Sequence, residues 1–272
     1  MSSEAIKTHP YHMVKPSPWP IVGSIGAFIT ALGGIWYMHE GPLWGFLVGL
    51  AVVLYCMFGW WRDVVKEAQG GVDHTDIVQH GLRMGMLLFI ASEVMFFFAF
   101  FWAYFNASVP GLSLVAHDVW PPEGIEPLHT WSLPFYNTLI LLTSGATLTW
   151  AHHGLKVGDT GKLKIGLLLT VALGVLFLGL QMYEYGIASF SITDGIYPST
   201  FFLATGFHGF HVFVGVCFLV VCLLRANKGH FTPKQHVGFE AAAWYWHFVD
   251  VVWVFLFIWV YWWGSFGFVH EG

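Results

Sequence analysis

Glu93 is a carboxyl group inside an almost wholly apolar run, residues 82–105. Placing an ionisable group at bilayer depth costs about 2.5–3.5 kcal/mol on an insertion scale, so such a residue needs a reason to be there. Desolvation favours its neutral acid form unless a cation or donor lies close. Two chemistries follow: a proton-handling, carbodiimide-reactive carboxyl, or a hydrogen bond that ties helices together. Position alone leaves both open. His208 and His211 stand three residues apart in another apolar run, and His247 and Asp250 repeat the spacing in a third. Residues at that interval share a helix face. At about 1.5 Å per residue, Glu93 sits roughly 16 Å, Asp250 about 14 Å and His211 about 20 Å along their respective runs. Glu93, His208, His211, His247 and Asp250 are therefore expected to form one buried polar cluster.

Histidines in apolar runs also raise haem or copper ligation, with His152 and His153 adding two more imidazoles. No cysteine stands at ligand spacing to a histidine, no methionine is paired with these histidines in a recognisable pattern, and adjacent His152 and His153 point to different helix faces. The histidines read as hydrogen-bonded structural groups, and the chain as having no catalytic, cofactor or metal site of its own. No Gly-rich phosphate loop, nucleophile elbow or pair of broken half-helices is found.

A second set of residues combines rings with cations: Trp60, Trp61, Arg62, His74, Arg83, Arg225, Lys228 and His230. Such a set at a membrane surface can hold a lipid head group, although ordinary topology-setting charge with snorkelling side chains gives the same composition. Trp61 and Arg62 end one apolar run, and Arg83 shares the next with Glu93. Lipid contacts are therefore expected at Trp61, Arg62, His74, Arg83, Glu93, Arg225, Lys228 and His230.

The elements that must position these residues follow from composition. Of 272 residues, 56% are apolar and 10% charged, with mean hydropathy +0.64. A soluble domain carries roughly 25% charged residues, so this chain has too few to cover a water-exposed surface. A net charge of -5 excludes a nucleic-acid binder built on a basic surface. Cys56, Cys217 and Cys222 all lie in apolar runs and are expected to be free, buried thiols.

Spanning a bilayer takes about 20 apolar residues in a helix. Seven runs qualify: 19–38, 43–61, 82–105, 131–152, 165–185, 200–224 and 241–265. Helices satisfy their own backbone in lipid, so the expected fold is an all-α, seven-span membrane protein. All 11 Lys and Arg residues fall on one side of these runs. Lys7 and Lys15 precede the first, Arg62, Lys66 and Arg83 flank the second connection, Lys156, Lys162 and Lys164 fill the fourth, and Arg225, Lys228 and Lys234 the sixth. The alternate connections and the tail carry acids such as Glu40, Asp118, Asp194 and Glu271. The positive-inside rule then places the N-terminus inside and the C-terminus outside. The N-terminal segment does not read as a cleaved signal peptide. The expected division is an inner-side segment 1–18, two helices over 19–61, an inner connection 62–81, a five-helix bundle over 82–265 and an outer tail 266–272. Close packing is expected at Gly145 and Ala146, Gly174, Gly179, Gly206, Gly209, Gly215 and residues 241–243, because small residues let helices approach in lipid.

Several long motifs carry a resemblance: YHMVKPSPWP (residues 11–20), WWRDVV (60–65), SEVMFFFAFFWAYF (92–105), WAHHGL (150–155), STFFLATGFHGFHV (199–212) and GFEAAAWYWHFVDVVWVFLF (238–257). In this order, and over nearly the whole chain, they resemble the subunit III family of haem-copper cytochrome c oxidases. The resemblance implies seven helices in groups of two and five, separated by a V-shaped cleft that holds phospholipid. It implies a subunit without redox centres, with haem and copper in partner subunits I and II. The complex oxidises cytochrome c, reduces oxygen to water and pumps protons. Partners would be subunits I and II and anionic or zwitterionic phospholipids, with cytochrome c met only through the complex and no nucleic acid. Glu93 matches the family's carbodiimide-reactive glutamate, and Trp61, His74, Arg83, Arg225 and His230 fall where its lipid contacts lie. The extended N-terminus and longer connections point to a bacterial cytoplasmic membrane rather than the mitochondrial inner membrane. The competing readings are a stand-alone seven-helix transporter or channel, which needs polar residues along a lumen, and a membrane redox enzyme in its own right, which needs pigment in this chain.

Overall fold

The computed structural model describes residues 10–70, 73–112 and 119–268. The ends of the expected N-terminal segment and outer tail, with Lys7, Asp118 and Glu271, lie outside the described residues. All regular structure among the described residues is helical: α1 (Trp19–Met38), α2 (Trp44–Gly70), α3 (Asp76–Ser108), α4 (Leu133–Lys156), α5 (Thr160–Ile187), α6 (Ile196–Asn227) and α7 (Val237–Leu256). A π-helical turn (Phe257–Trp262) and a 3-10 turn (Trp263–Phe268) continue α7.

Six of the seven helices are long and apolar enough to cross a membrane, α7 being counted with its extension; α4 is the exception. Its sequence explains this, because Asn137, Thr138, Ser144 and Thr147 interrupt the apolar run. These residues face other helices: Trp253 Nε1 donates to Thr138 Oγ1 at 2.9 Å, Trp246 Nε1 to Ser144 Oγ at 2.9 Å, and the Thr147 and Thr170 hydroxyls meet at 2.8 Å. A helix carries hydroxyls more readily on the face it packs against protein than on the face it turns to lipid.

Several helices outrun their apolar segments. α2 continues past the tryptophan pair to Gly70, and α3 begins at Asp76, before its apolar run. Hydropathy ends where charge begins, but backbone hydrogen bonding does not. Thr75 starts α3 as an N-cap: its Oγ1 accepts from the Val78 N–H at 3.4 Å, and Asp76 complements the helix dipole. α5 begins the same way, with Asp159 Oδ1 accepting from the Lys162 N–H at 3.0 Å. That backbone bond and the Lys162 ammonium hold the Asp159 carboxyl below its usual range.

The described chain forms two compact units, residues 1–82 and 83–272. In the first, α1 and α2 pack through small residues. A Cβ at Gly33 would collide with the backbone of Gly45 and Phe46, and one at Gly49 with Thr30, so glycine permits the contact. Trp19 fastens the far end, its Nε1 donating to Asp63 Oδ2 at 2.7 Å and its carbonyl accepting from the Cys56 thiol at 3.2 Å.

The second unit is organised around α7. Trp246 and Trp253 are wholly buried, and Tyr261 nearly so. Gly145, Gly174 and Gly215 sit at close approaches, as expected, whereas Gly179, Gly206 and Gly209 face open space. Sequence marks a residue as small but not which way it faces. Cys56 and Cys222 are buried, but Cys217 is exposed on the outward face of α6, contrary to expectation. α3 leans on this unit through aromatic rings, with Phe97 against Phe248, Phe101 against Phe255 and Phe105 against Trp259. Only 6% of its most apolar stretch is buried, against 61% for α7 and its extension.

Candidate functional site

α3 carries Glu93 to α6, where Glu93 Oε2 lies 2.8 Å from His211 Nε2. The opposite ring nitrogen, Nδ1, donates to the Phe207 carbonyl at 2.6 Å. With that proton fixed, the neutral ring offers Nε2 as an acceptor, and a protonated Glu93 donates to it. Transfer of the proton gives an imidazolium–carboxylate pair in the same geometry. Either form satisfies both groups. The rings of Phe96, Phe97 and Phe248 surround His211, while the Glu93 side chain is 21% exposed.

The remaining members of the expected cluster go elsewhere. Asp250 turns toward α4: a Cβ at Gly145 would strike its carboxylate, and its Oδ2 lies 3.1 Å from His247 Nδ1. His247 Nε2 reaches Thr149 Oγ1 at 3.3 Å. His208 is completely buried, contacts the Val249 carbonyl through Nε2 at 3.2 Å, and lies against Trp253 and Phe177. The structure thus resolves one anticipated cluster into two pairs and a solitary histidine. Depth along the run was shared, but the direction around each helix differs.

The ring-and-cation set is also divided. Trp61 is exposed and lines a shallow apolar groove with Gly23, Val53, Cys56 and Trp60 on α1 and α2. Arg62 lies beside Asp63 at 3.6 Å, and Lys228 is exposed at the end of α6. The His74 carbonyl accepts from Gln79 Nε2 at 3.1 Å. Burial, then the charges of Arg225 and Lys228, push the His230 imidazole below its usual range. It is therefore neutral at physiological pH, able to hydrogen-bond a head group but not to neutralise one. Two further cations have protein partners. Arg83 Nε donates to Glu240 Oε2 at 2.7 Å, and the Arg225 guanidinium lies 4.5 Å from the centre of the Phe231 ring.

Sequence reasoning passed over a third buried carboxyl. Glu184 is 1% exposed on α5. Its Oε2 accepts from Gln181 Nε2 and Tyr261 OH, both at 2.7 Å, and Asn137 Nδ2 approaches Gln181 Oε1 at 3.4 Å. Glu184 stands one residue from the end of its apolar run, which made it look like a boundary. The Gln181–Glu184 spacing was the available signal. His152, His236 and Glu240 also converge, where α4 ends and α7 begins.

These features define a multi-pass membrane protein in which the intramembrane polar groups described above bond to other parts of the bundle rather than running in file along a lumen. The comparisons agree with that class and narrow it. The family model described as Cytochrome c oxidase subunit III matches residues 9–265. Cytochrome c oxidase subunit 3 of Marchantia polymorpha is 56% identical over 260 residues, covering 94% of this chain and 97% of that protein. Its namesake in Arabidopsis thaliana shows the same identity and coverage, and that in Mus musculus is 52% identical over 262 residues, covering 95% and 99%. The chain belongs to the cytochrome c oxidase subunit III family. These relatives come from plants and a mammal, so the bacterial preference finds no support among them.

Proposed function

We propose that this chain acts as the non-redox subunit III of a terminal cytochrome c oxidase, seated beside subunits I and II. In this reading the complex takes electrons from cytochrome c, reduces oxygen to water and pumps protons, while this chain supplies packing, ordered phospholipid and support for proton uptake. The observation that carries it is the family match over residues 9–265. Physical chemistry supports it: α3 exposes Leu88, Met95 and Phe98, a surface that calls for lipid or a neighbouring apolar subunit. The proposal includes an N-terminus on the inner side, from the charge asymmetry, and the phospholipid cleft that the family resemblance implies. Trp61, Arg62, His74, Lys228 and His230 supply the head-group contacts. Arg83 and Arg225 serve the lipid only with what their protein contacts leave free.

An oxidase complex stripped of this chain is expected to retain its initial rate of oxygen reduction but to lose activity progressively as it turns over, with recovery when chain and phospholipid are restored. An oxygen electrode checks this. Equal lifetimes of the stripped and intact complexes contradict it.

Glu93 is a paired carboxyl in this account and not an obligatory proton carrier. The Glu93→Gln amide can donate to His211 Nε2 as the protonated acid does, so the variant is expected to assemble and to keep most of its oxygen reduction. Complete loss of turnover in a fully assembled Glu93→Gln complex contradicts that role.

A further inference from the structure

Three side chains of metal-binding type meet where α4 ends and α7 begins. His152 lies in the final turns of α4, His236 is the N-cap of α7, and Glu240 stands one turn later. One ligand atom from each lies within 4.8 Å of the others. His236 is fixed by its other nitrogen, with Nδ1 donating to the Thr232 carbonyl at 3.0 Å. Its Nε2 therefore carries a lone pair. That nitrogen is buried, has no hydrogen-bond partner, and lies 3.4 Å from Glu240 Oε1. The His152 Nε2 is likewise buried and without a hydrogen bond. The two rings stand 5.7 Å apart at 68°, with Phe239 beside His152. Arg83 holds Glu240 by Oε2, leaving Oε1 free to face the imidazoles.

Buried polar atoms nearly always have partners, and two unpaired imidazole nitrogens beside one carboxylate oxygen are a poor arrangement unless something lies between them. The donor set narrows the choice. Two imidazoles and one carboxylate suit a borderline transition metal better than magnesium or calcium, which prefer oxygen throughout. Spacing agrees, because zinc bonds of about 2.0–2.1 Å in a tetrahedron imply ligand atoms roughly 3.3 Å apart. The His236–Glu240 edge, at 3.4 Å, is already there. The Thr232 carbonyl and the Arg83 guanidinium orient the ligands, as the partners of metal-binding groups commonly do.

We propose that His152, His236 and Glu240 form a divalent transition-metal site, zinc foremost, with a fourth position open to water. Metal there clasps the end of α4 to the start of α7. Arg83 and Lys156 place positive charge beside it, so it is weaker than a closed structural zinc site. The sequence reading treated His152 as a structural histidine because no cysteine or methionine stood at ligand spacing and His153 points to a different helix face; His236 and Glu240 lie more than eighty residues further along the chain.

The test uses the full chain, purified in detergent and freed of metal with a chelator, then titrated with zinc alone. One zinc is expected per chain. His152→Gln and His236→Gln are each expected to weaken binding by at least about tenfold. His153→Gln, which alters the adjacent exposed histidine, should leave it unchanged. X-ray absorption on the zinc-loaded wild type decides the matter even if a variant fails to fold, and should show two imidazoles and one carboxylate in the shell. No zinc uptake by the wild type, a shell without two imidazoles, or unchanged affinity in both folded histidine variants overturns the proposal.

Discussion

Trp246→Ala is expected to destabilise the bundle by about 3–5 kcal/mol, the range for truncating a large aromatic in a packed core. The side chain is 0% exposed. It reaches from α7 to three other helices, since Cβ atoms at Gly174 on α5 and Gly215 on α6 would strike its ring, and its Nε1 donates to Ser144 on α4. Lipid gives packed helices no hydrophobic drive, so close dispersion contacts of this kind carry the association. Alanine opens a cavity at the point where the four helices meet. Trp246→Phe should recover much of the loss, because Ser144 Oγ still donates to the Leu141 carbonyl and is not stranded. Reversible unfolding in mixed micelles measures the difference. A cost below about 1 kcal/mol for the alanine variant contradicts the packing described.

The second large effect is expected at Gln181, which joins two buried groups. Its Nε2 donates to Glu184 Oε2 and its Oε1 accepts from Asn137. Gln181→Leu removes both contacts from residues that are 1% and 0% exposed. Asn137 Nδ2 is left stranded, at a cost of about 1–3 kcal/mol, and Glu184 keeps only the Tyr261 hydroxyl as donor. Adding Glu184→Leu together with Tyr261→Phe should return part of the loss, because the three apolar side chains leave only Asn137 without its former partner, whereas Glu184→Leu alone would strand the Tyr261 hydroxyl. The π-helical turn at Phe257–Trp262 belongs to this network, for it carries Tyr261, whose OH is the second donor to Glu184. A double-mutant cycle on Gln181 and Glu184 is expected to be strongly non-additive. Strict additivity contradicts the coupling.

Much of the fold was legible because apolar length is a one-dimensional property. The seven runs lie within the seven helices and the turns that continue α7, apart from a residue or two at their starts. The helix ends were missed where charge entered before hydrogen bonding stopped, as at α2 and the start of α3. Direction around the helix axis was the harder quantity. Glu93 and His211 share a depth and face each other, whereas Asp250 shares that depth but faces Gly145, and His208 turns to Trp253. The same lack of facing information selected Gly206 and Gly209 as packing glycines and passed over Gly33 and Gly49. Arg83 shows a further limit: its partner Glu240 lies 157 residues away, a contact that no local spacing encodes.

The central claim is that this chain contributes no redox chemistry and works by holding a pigmented neighbour and its lipid. Tagging the chain and extracting the membrane in mild detergent is expected to bring haem and copper down with the assembled fraction. The same chain, separated from its partners, should then show no haem absorption band and consume no oxygen. A chromophore bound to the separated chain, or oxygen consumption by it, contradicts the account.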